Sequence, residues 1–157
     1  MNFGAFTNES REVGMEKDLL WAMEREFRRQ GGFQVTEAGE GVLDVTIQEL
    51  DIRPVAFSRM DQVLKYLVAV VLDATLTDRA TGKILWQATG LRETGEYSAT
   101  PQVEVTTSPD FQRGTLNPGD LNSLTQIQFS EAQERTAVSH LFEAVAREVH
   151  LRLTEDF

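Results

Sequence analysis

The sequence contains no cysteine among its 157 residues. This absence excludes disulfide bonds, thiolate catalysis and cysteine-ligated metals. It leaves the cellular compartment open, because an oxidising compartment permits disulfides without requiring them. No stretch approaches the roughly 18 consecutive apolar residues that a membrane-spanning helix needs. The length and a hydrophobic content of 41% fit one globular domain, and we expect that domain to cover residues 1–157.

Basic residues are in the minority, with 15 Lys and Arg against 25 Asp and Glu and a net charge of −10. This balance argues against nucleic acid as a partner. The segment from Arg53 to Arg92 reverses the balance, because it has six basic residues, three aspartates and no glutamate. Two interpretations stay open. The segment either reflects the low glutamate content of strands or forms a surface for an anionic partner.

Residue patterns that would indicate catalysis are also missing. The serines show no G-x-S-x-G pattern. The stretch GGFQVTEAGEG follows a helix and precedes a strand, which is the wrong order for a phosphate-binding loop. His140 and His150 lie about 80° apart around a helix, so they form no i, i+4 metal pair. The sequence therefore predicts no enzyme, no catalytic residue, no cofactor and no metal site. Trp21 and Trp86 are expected to be packing residues.

The patterns that are present predict a strand, a helix, three strands and a final helix. The first helix should end at Gly31–Gly32, because glycine readily adopts the positive φ of a helix stop. Its predicted buried stripe is Met15, Leu19, Ala22, Met23 and Phe27. The last helix is expected to begin at Ser130, which forms a capping box with Gln133. Its predicted buried stripe is Val138, Leu141, Phe142, Val145, Val149 and Leu153.

The segment VLDVTIQELDIRP predicts a strand whose apolar phase changes along its length. The first inward residues are Leu43, Val45 and Ile47. The apolar positions then move to Leu50 and Ile52, which indicates a β-bulge near Glu49. Pro54 either ends this strand or confines it to an edge of the sheet, because proline cannot donate a ladder hydrogen bond.

The segment YLVAVVLDATLTDRATGKILW predicts a β-hairpin with its turn at DRATGK. One face of its first strand is apolar throughout: Tyr66, Val68, Val70, Leu72, Ala74 and Leu76. The other face is apolar at Leu67, Ala69 and Val71 and polar only after them. A strand with one solvated face alternates from its start. Either a partner or a loop of the same chain is therefore expected to cover these three residues.

The region after this turn is less regular. Gly90 and Gly95 interrupt the second arm of the hairpin, so we expect it to bend or bulge. From about residue 98 to 128 the chain is rich in Ser, Thr, Pro, Asn, Gln and Asp. A polar connection of this length is unusual inside a compact domain and is typical of functional or flexible segments.

Two helices with one apolar stripe each must bury those stripes against a sheet. The predicted fold class is therefore α+β. We expect a two-layer sandwich in which two helices pack on one face of a four-stranded, mostly antiparallel sheet. This arrangement leaves the other sheet face uncovered by the helices, which is the face that carries the unexplained apolar residues.

Four stretches resemble, in order and spacing, the lipopolysaccharide-assembly lipoprotein family (LptE). They are FTNESREVGMEKDLLWAMEREFRRQGGFQV, LDVTIQELDIRPVAF, KYLVAVVLDATLTDRATGKILW and LRETGEYS. The family pattern is a strand ending F.N.T, a helix with L...L..EF.R.G, a strand ending P.AF and the segment Y.V.V..D..L.D..TG..LW. The resemblance covers nearly the whole chain outside Thr100 to Gln128, and it depends on all four stretches together.

The resemblance implies a lipoprotein on the periplasmic face of the outer membrane. Members of the family sit as a plug inside an LPS-assembly β-barrel of the LptD type, help that barrel to assemble and contact lipopolysaccharide (LPS). The resemblance also implies an N-terminal lipid anchor that these 157 residues do not contain. We expect a leader and an acylated cysteine to precede Met1 in the native protein.

The resemblance further suggests contact residues. A basic residue in the connection before the central hairpin contacts LPS in the family, and Arg59 matches it best. Lys65 and Arg53 are the neighbouring candidates. The candidates for facing the barrel partner are Leu67, Ala69 and Val71.

Two other functions remain compatible with these residues. One is a periplasmic lipoprotein of similar architecture that binds a different envelope partner, because one scaffold hosts many sites. The other is a small lipid carrier, which would need an internal apolar cavity.

Overall fold

The computed structural model describes residues 1–59, 63–98 and 118–156, and in the last range it describes side chains from residue 131 onward. In chain order the elements are β1 (Asn2–Asn8), α1 (Met15–Gln30), β2 (Gly41–Phe57), β3 (Val63–Asp78), β4 (Ile84–Ser98) and α2 (Pro118–Asp156). This order confirms the predicted succession of a strand, a helix, three strands and a helix.

The strands form an open sheet in the order β1-β2-β3-β4. β1 and β2 run parallel and are connected through α1, whereas β2–β3 and β3–β4 are antiparallel neighbours. α1 contacts β1, and α2 contacts β3, β4 and α1. The predicted α+β sandwich of two helices and a mostly antiparallel sheet is confirmed.

The hydrophobic core lies between the helices and the sheet face beneath them. α1 buries four of its five predicted stripe residues: Leu19, Ala22, Met23 and Phe27. Met15 is partly buried against the same core. In β3 every second residue from Tyr66 to Leu76 is buried, as the apolar alternation predicts. α2 contributes its whole predicted stripe: Val138, Leu141, Phe142, Val145, Val149 and Leu153.

The strands are irregular where the sequence predicts irregularity. β2 changes its register with β3 between Ile47 and Glu49, which is the predicted bulge. Pro54 does not end β2. It pairs with Tyr66 at a point where β2 has run past its last pairing with β1 and forms a local edge. The register of β4 shifts around Gly90, whose φ of 64° suits a glycine.

The start of α2 differs from the prediction. The helix begins at Pro118 rather than at Ser130, so the capping box is wrong and residues 118–128 of the predicted connection are helical. Proline suits a first helical position, which needs no N–H donor. Weak helix formers around the apolar residues obscured their helical spacing. The spaced apolar residues are Leu121, Leu124 and Ile127. The rest of the predicted connection, residues 99–117, lies outside the described residues.

Within the described ranges, neither helix is both long enough and apolar enough to cross a membrane.

Candidate functional site

The sheet has a face that neither helix covers, and Leu67, Ala69 and Val71 lie on it. Each of the three is partly exposed, while Tyr66, Val68 and Val70 between and beside them are buried under the helices. The two faces of β3 therefore differ as the sequence predicts. We call the uncovered face, centred on Leu67, Ala69 and Val71, the open face.

Charged and polar residues border the apolar centre of the open face on both sides. Across from Val71, Ala69 and Leu67, β2 places Glu49, Asp51 and Arg53, respectively. β4 places Arg92, Thr94 and Glu96 against the same three residues. The open face is thus a narrow apolar row between two mixed charged rows, and it lacks the broad apolar character of the core.

Two of the three predicted LPS contacts are engaged in ion pairs on this face. Arg53 Nε lies 2.6 Å from Asp51 Oδ2, and Lys65 Nζ lies 3.6 Å from Glu96 Oε2. Asp51 and Glu96 fall just outside the basic segment that the sequence analysis delimited. The charge count along the chain did not include these two carboxylates, because only the folded strands bring them next to Arg53 and Lys65. Exposed pairs of this kind contribute little to stability, so they leave both cations available to a stronger anionic ligand.

The end of the β2–β3 hairpin combines cations with exposed apolar side chains. The exposed apolar residues are Val55, Phe57 and Leu64, with exposures of 46%, 55% and 41%. The cations nearby are Arg53 and Lys65 in the strands and Arg59 in the connection between them. Lys65 pairs with Ala56, and Arg59 is exposed just beyond the end of β2. We call residues 53–59 and 63–65 the hairpin tip. The residue pattern of the sequence indicated the cations of the hairpin tip but not its exposed apolar residues.

Arg59 differs from the other two cations of the hairpin tip, because no ion pair joins it to another described residue. Arg79 and Lys83 cannot share its site. They follow the far end of β3, whose 16 residues span roughly 50 Å. Arg79 is also occupied there, since its Nη1 donates to the carbonyl oxygen of Glu37 at 2.7 Å.

One of the two tryptophans contradicts the sequence prediction. Trp86 is buried and donates from Nε1 to Asp156 Oδ2 at 2.7 Å, so it is a packing residue as expected. Trp21 is 66% exposed, so it is not a packing residue. The signal was available in the sequence, because Trp21 lies 200° around the helix from the buried Leu19.

Trp21 lies in a groove between the outer surfaces of α1 and α2. The groove has a volume of about 390 Å³ and is lined by Asp18, Trp21, Ala22, Arg25, Arg135, Thr136, Ser139 and His140. The Arg25 guanidinium pairs with the Glu143 carboxylate across the helices. The His140 ring lies 5.7 Å from the ring of Tyr97 at the end of β4. We call this surface the interhelix groove.

A buried carboxylate joins the two helices farther along. Glu26 of α1 is only 6% exposed and accepts from Arg29 at 2.8 Å and from Gln30 at 2.9 Å. Arg147 of α2 lies 3.6 Å away. The hydrogen bond from Arg29 is the main cause that lowers the pKa of Glu26 to about 2. Burial opposes this shift, while Gln30 and Arg147 support it.

The second histidine has a structural position. His150 Nε2 lies 2.9 Å from the carbonyl oxygen of Gly31, and its ring packs edge-on against Phe27 and Phe33. Within the described residues, no three His, Asp or Glu side chains gather into a group that could hold a metal ion.

The fold is an α+β sandwich with an open sheet face and an amphiphilic hairpin tip. The family model for lipopolysaccharide assembly, LptE, matches residues 1–153. The chain therefore belongs to the LptE family of LPS-assembly proteins, a family that is not enzymatic. No curated protein matches the sequence.

Solved structures share the fold at low sequence identity. A candidate lipoprotein from Caulobacter crescentus has a TM-score of 0.51 and 12% identity, with 93% of this chain and 85% of that chain covered. A Xanthomonas campestris protein has a TM-score of 0.50 and 11% identity, with coverages of 95% and 80%. Rare lipoprotein B from Shewanella oneidensis has a TM-score of 0.34 and 13% identity, with coverages of 97% and 99%. At these identities the first two likenesses bear on the fold alone, and nothing is argued from the third, whose TM-score is below 0.5.

Proposed function

We propose that this LPS-assembly protein is a lipid-anchored plug on the periplasmic side of the outer membrane. Its partner is the LptD-type β-barrel, which it helps to fold, and it contacts LPS through the hairpin tip. Family membership supports the assembly role. The observation that carries the LPS contact is the combination of cations and exposed apolar side chains at one end of the molecule.

The chemistry of the hairpin tip matches an anionic amphiphile. The lipid part of LPS carries phosphates beside acyl chains, so its recognition needs cations next to apolar surface. Arginine binds phosphate through two parallel, charge-assisted hydrogen bonds. Arg59 is exposed, and no carboxylate among the described residues pairs with it, so none of those would compete with a phosphate. Phe57 and Leu64, on the flanking strand ends, offer apolar contact.

The open face suits contact with the barrel. The interior of an outer-membrane barrel is polar, and the open face offers charged rows around a narrow apolar row. Leu67, Ala69 and Val71 are the proposed partner-facing residues. Burial of this row against the barrel wall would explain why apolar residues occupy a strand face that the helices do not cover.

The LPS contact is tested by measuring binding of purified LPS to wild-type protein and to Arg59→Glu. The variant should bind about tenfold more weakly, because it replaces a phosphate-binding cation with an anion. Arg79→Glu is the matched control, since it makes the same charge change at the opposite end of β3. An equal loss of LPS affinity in both variants would show that the effect comes from net charge. Arg59 would then not belong to the LPS site.

The plug role is tested by capture from detergent-solubilised outer membrane of the source organism, with the full-length acylated protein as bait. A large β-barrel recovered at a one-to-one ratio is the expected result. Recovery of a different envelope protein, or of copurifying lipid without a barrel, would contradict the plug role and favour another lipoprotein function or a lipid carrier.

A further inference from the structure

The exposed tryptophan of the interhelix groove stands apart from other apolar surface. Trp21 is two-thirds exposed on α1. On α2, from residue 131 onward, Leu151 is the large apolar side chain with comparable exposure. It lies 11 residues beyond His140, which is roughly 17 Å along the helix. Among the side chains that the structure describes, Trp21 is therefore an isolated aromatic residue on a polar helical surface.

The isolation of Trp21 argues against two ligands that commonly bind at an exposed tryptophan, namely a protein partner and an acyl chain or membrane surface. A protein interface buries its aromatic anchor at the centre of a patch depleted of charge. An acyl chain or a membrane surface needs a continuous apolar face. The interhelix groove has charged or hydroxyl side chains on both sides of Trp21, with Asp18 and Arg25 on α1 and Arg135 on α2.

The lining of the groove combines one aromatic face with several hydrogen-bonding groups. Asp18 can accept hydrogen bonds, Arg135 can donate them, and the Ser139 hydroxyl can do both. Some of the lining is held in place, because Arg25 pairs with Glu143 and the Thr136 hydroxyl donates to the carbonyl oxygen of Ala132 at 2.9 Å. The polar groups thus project from two packed helices around the indole.

We infer that the interhelix groove binds a saccharide, with Trp21 as its stacking platform. A sugar ring presents C–H groups on one face and hydroxyl groups around its rim. The C–H groups carry partial positive charge and pack on the negative face of an indole. The rim hydroxyls then reach the side chains of Asp18, Arg135 and Ser139. A groove of about 390 Å³ accommodates one or two sugar rings.

The saccharide in question is the carbohydrate part of LPS, and this assignment rests on the proposed function. The groove opens at the end of the molecule that carries the hairpin tip. Tyr97, whose ring faces His140, pairs across the strands with Tyr66, and Tyr66 follows Lys65 directly. One LPS molecule would thus meet cations and apolar groups at the hairpin tip and an aromatic platform on the helical side.

The test uses Trp21 as its own reporter. In the 157-residue protein carrying Trp86→Phe, Trp21 is the remaining tryptophan. The probe is the acyl-free core oligosaccharide released from LPS by mild acid. We expect a saturable change in Trp21 emission. By calorimetry, Trp21→Ala should weaken oligosaccharide binding about tenfold and Trp21→Phe should weaken it less, since a phenyl ring retains a smaller stacking face. Leu151→Ala, at the far end of the same helical layer, is the control and should bind normally.

Three results would overturn the inference. The first is oligosaccharide binding that Trp21→Ala leaves intact. The second is no oligosaccharide binding by wild-type protein whose circular dichroism is native. The third is a Trp21 emission change that requires the purified barrel and not the oligosaccharide, which would assign Trp21 to a protein contact. Intact LPS is measured in parallel. If LPS binding depends on the hairpin tip but the oligosaccharide does not bind, the saccharide site in the groove is contradicted and the LPS contact at the tip stands. If the oligosaccharide binds but LPS binding does not depend on the hairpin tip, the tip contact is contradicted and the groove site stands.

Discussion

The two faces of β3 are built from neighbouring residues of one strand but serve different surroundings. Val70 points into the core under the helices and is fully buried, while Val71, the next residue, lies on the open face and is partly exposed. The side-chain period of two makes this division automatic. The comparison shows that apolar character alone does not identify a core residue. What distinguishes the two faces is their cover, because α2 packs on the Val70 side of β3, whereas Val71 lies uncovered by the helices between Glu49 of β2 and Arg92 of β4.

The largest expected effect comes from truncating the same side chain on each face. Val70→Ala leaves a cavity in a packed core and should lower the free energy of unfolding by about 2–3 kcal/mol. Val71→Ala should cost less than about 1 kcal/mol, because water already reaches that side chain. Urea denaturation of the two variants measures the difference. Equal losses would show that the open face is internal core, covered by another part of the same chain.

The second expected effect concerns the free energy of unfolding that a buried charge contributes, in contrast to the surface charges of the open face. The pKa of Glu26 lies near 2 in the folded protein, below its ordinary 4.5. A depressed carboxyl pKa stabilises the fold above pH 4.5, and this contribution is lost as the pH falls toward 2. Glu26→Gln should therefore reduce the free energy of unfolding by roughly 2–3 kcal/mol at pH 6.

The pH dependence checks the assignment of that effect to the Glu26 charge. The stability gap between the wild-type protein and Glu26→Gln should shrink below pH 4.5 and be nearly absent at pH 2. Denaturant unfolding at pH 6, 4 and 2 measures it. A gap that stays constant with pH would mean that the substitution acts through packing and not through the Arg29 and Arg147 interactions.

A third substitution separates folding from partner binding on the open face. Leu67→Asp should cost about 1 kcal/mol of stability, mainly because aspartate is disfavoured in strands. It should nevertheless weaken barrel capture at least tenfold, because a charge would be buried against the partner. Thr75→Asp, farther along the same strand face, is the control for strand propensity. Loss of folding in Leu67→Asp alone would contradict the proposed role of the open face.

Sequence periodicity was sufficient for the sandwich, because helix and strand periods are local properties of the chain. It predicted the α1 stripe, the alternation of β3 and the bulge after Ile47. Periodicity failed for the first turns of α2. There apolar residues recur at every third position, but the weak helix formers Asn, Ser and Thr between them obscured the pattern. The candidate site was harder to predict, because it depends on what pairing brings together. Glu96 reaches Lys65 only through the pairing of β3 with β4, and the exposed residues Phe57 and Leu64 come to one end of the sheet only through the pairing of β2 with β3.

The smallest expected effect follows from the Lys65–Glu96 pair. Glu96→Gln removes the carboxylate 3.6 Å from Lys65 Nζ and leaves that cation free for an anionic ligand. LPS affinity should rise about two- to threefold, while the thermal midpoint stays unchanged because exposed ion pairs contribute little to folding. Glu40→Gln makes the same charge change on an exposed residue just before β2, at the sheet end opposite the hairpin tip. An equal rise in both variants would show an effect of the net charge of the protein and not of one site. A rise confined to Glu96→Gln would place Lys65 in the LPS contact.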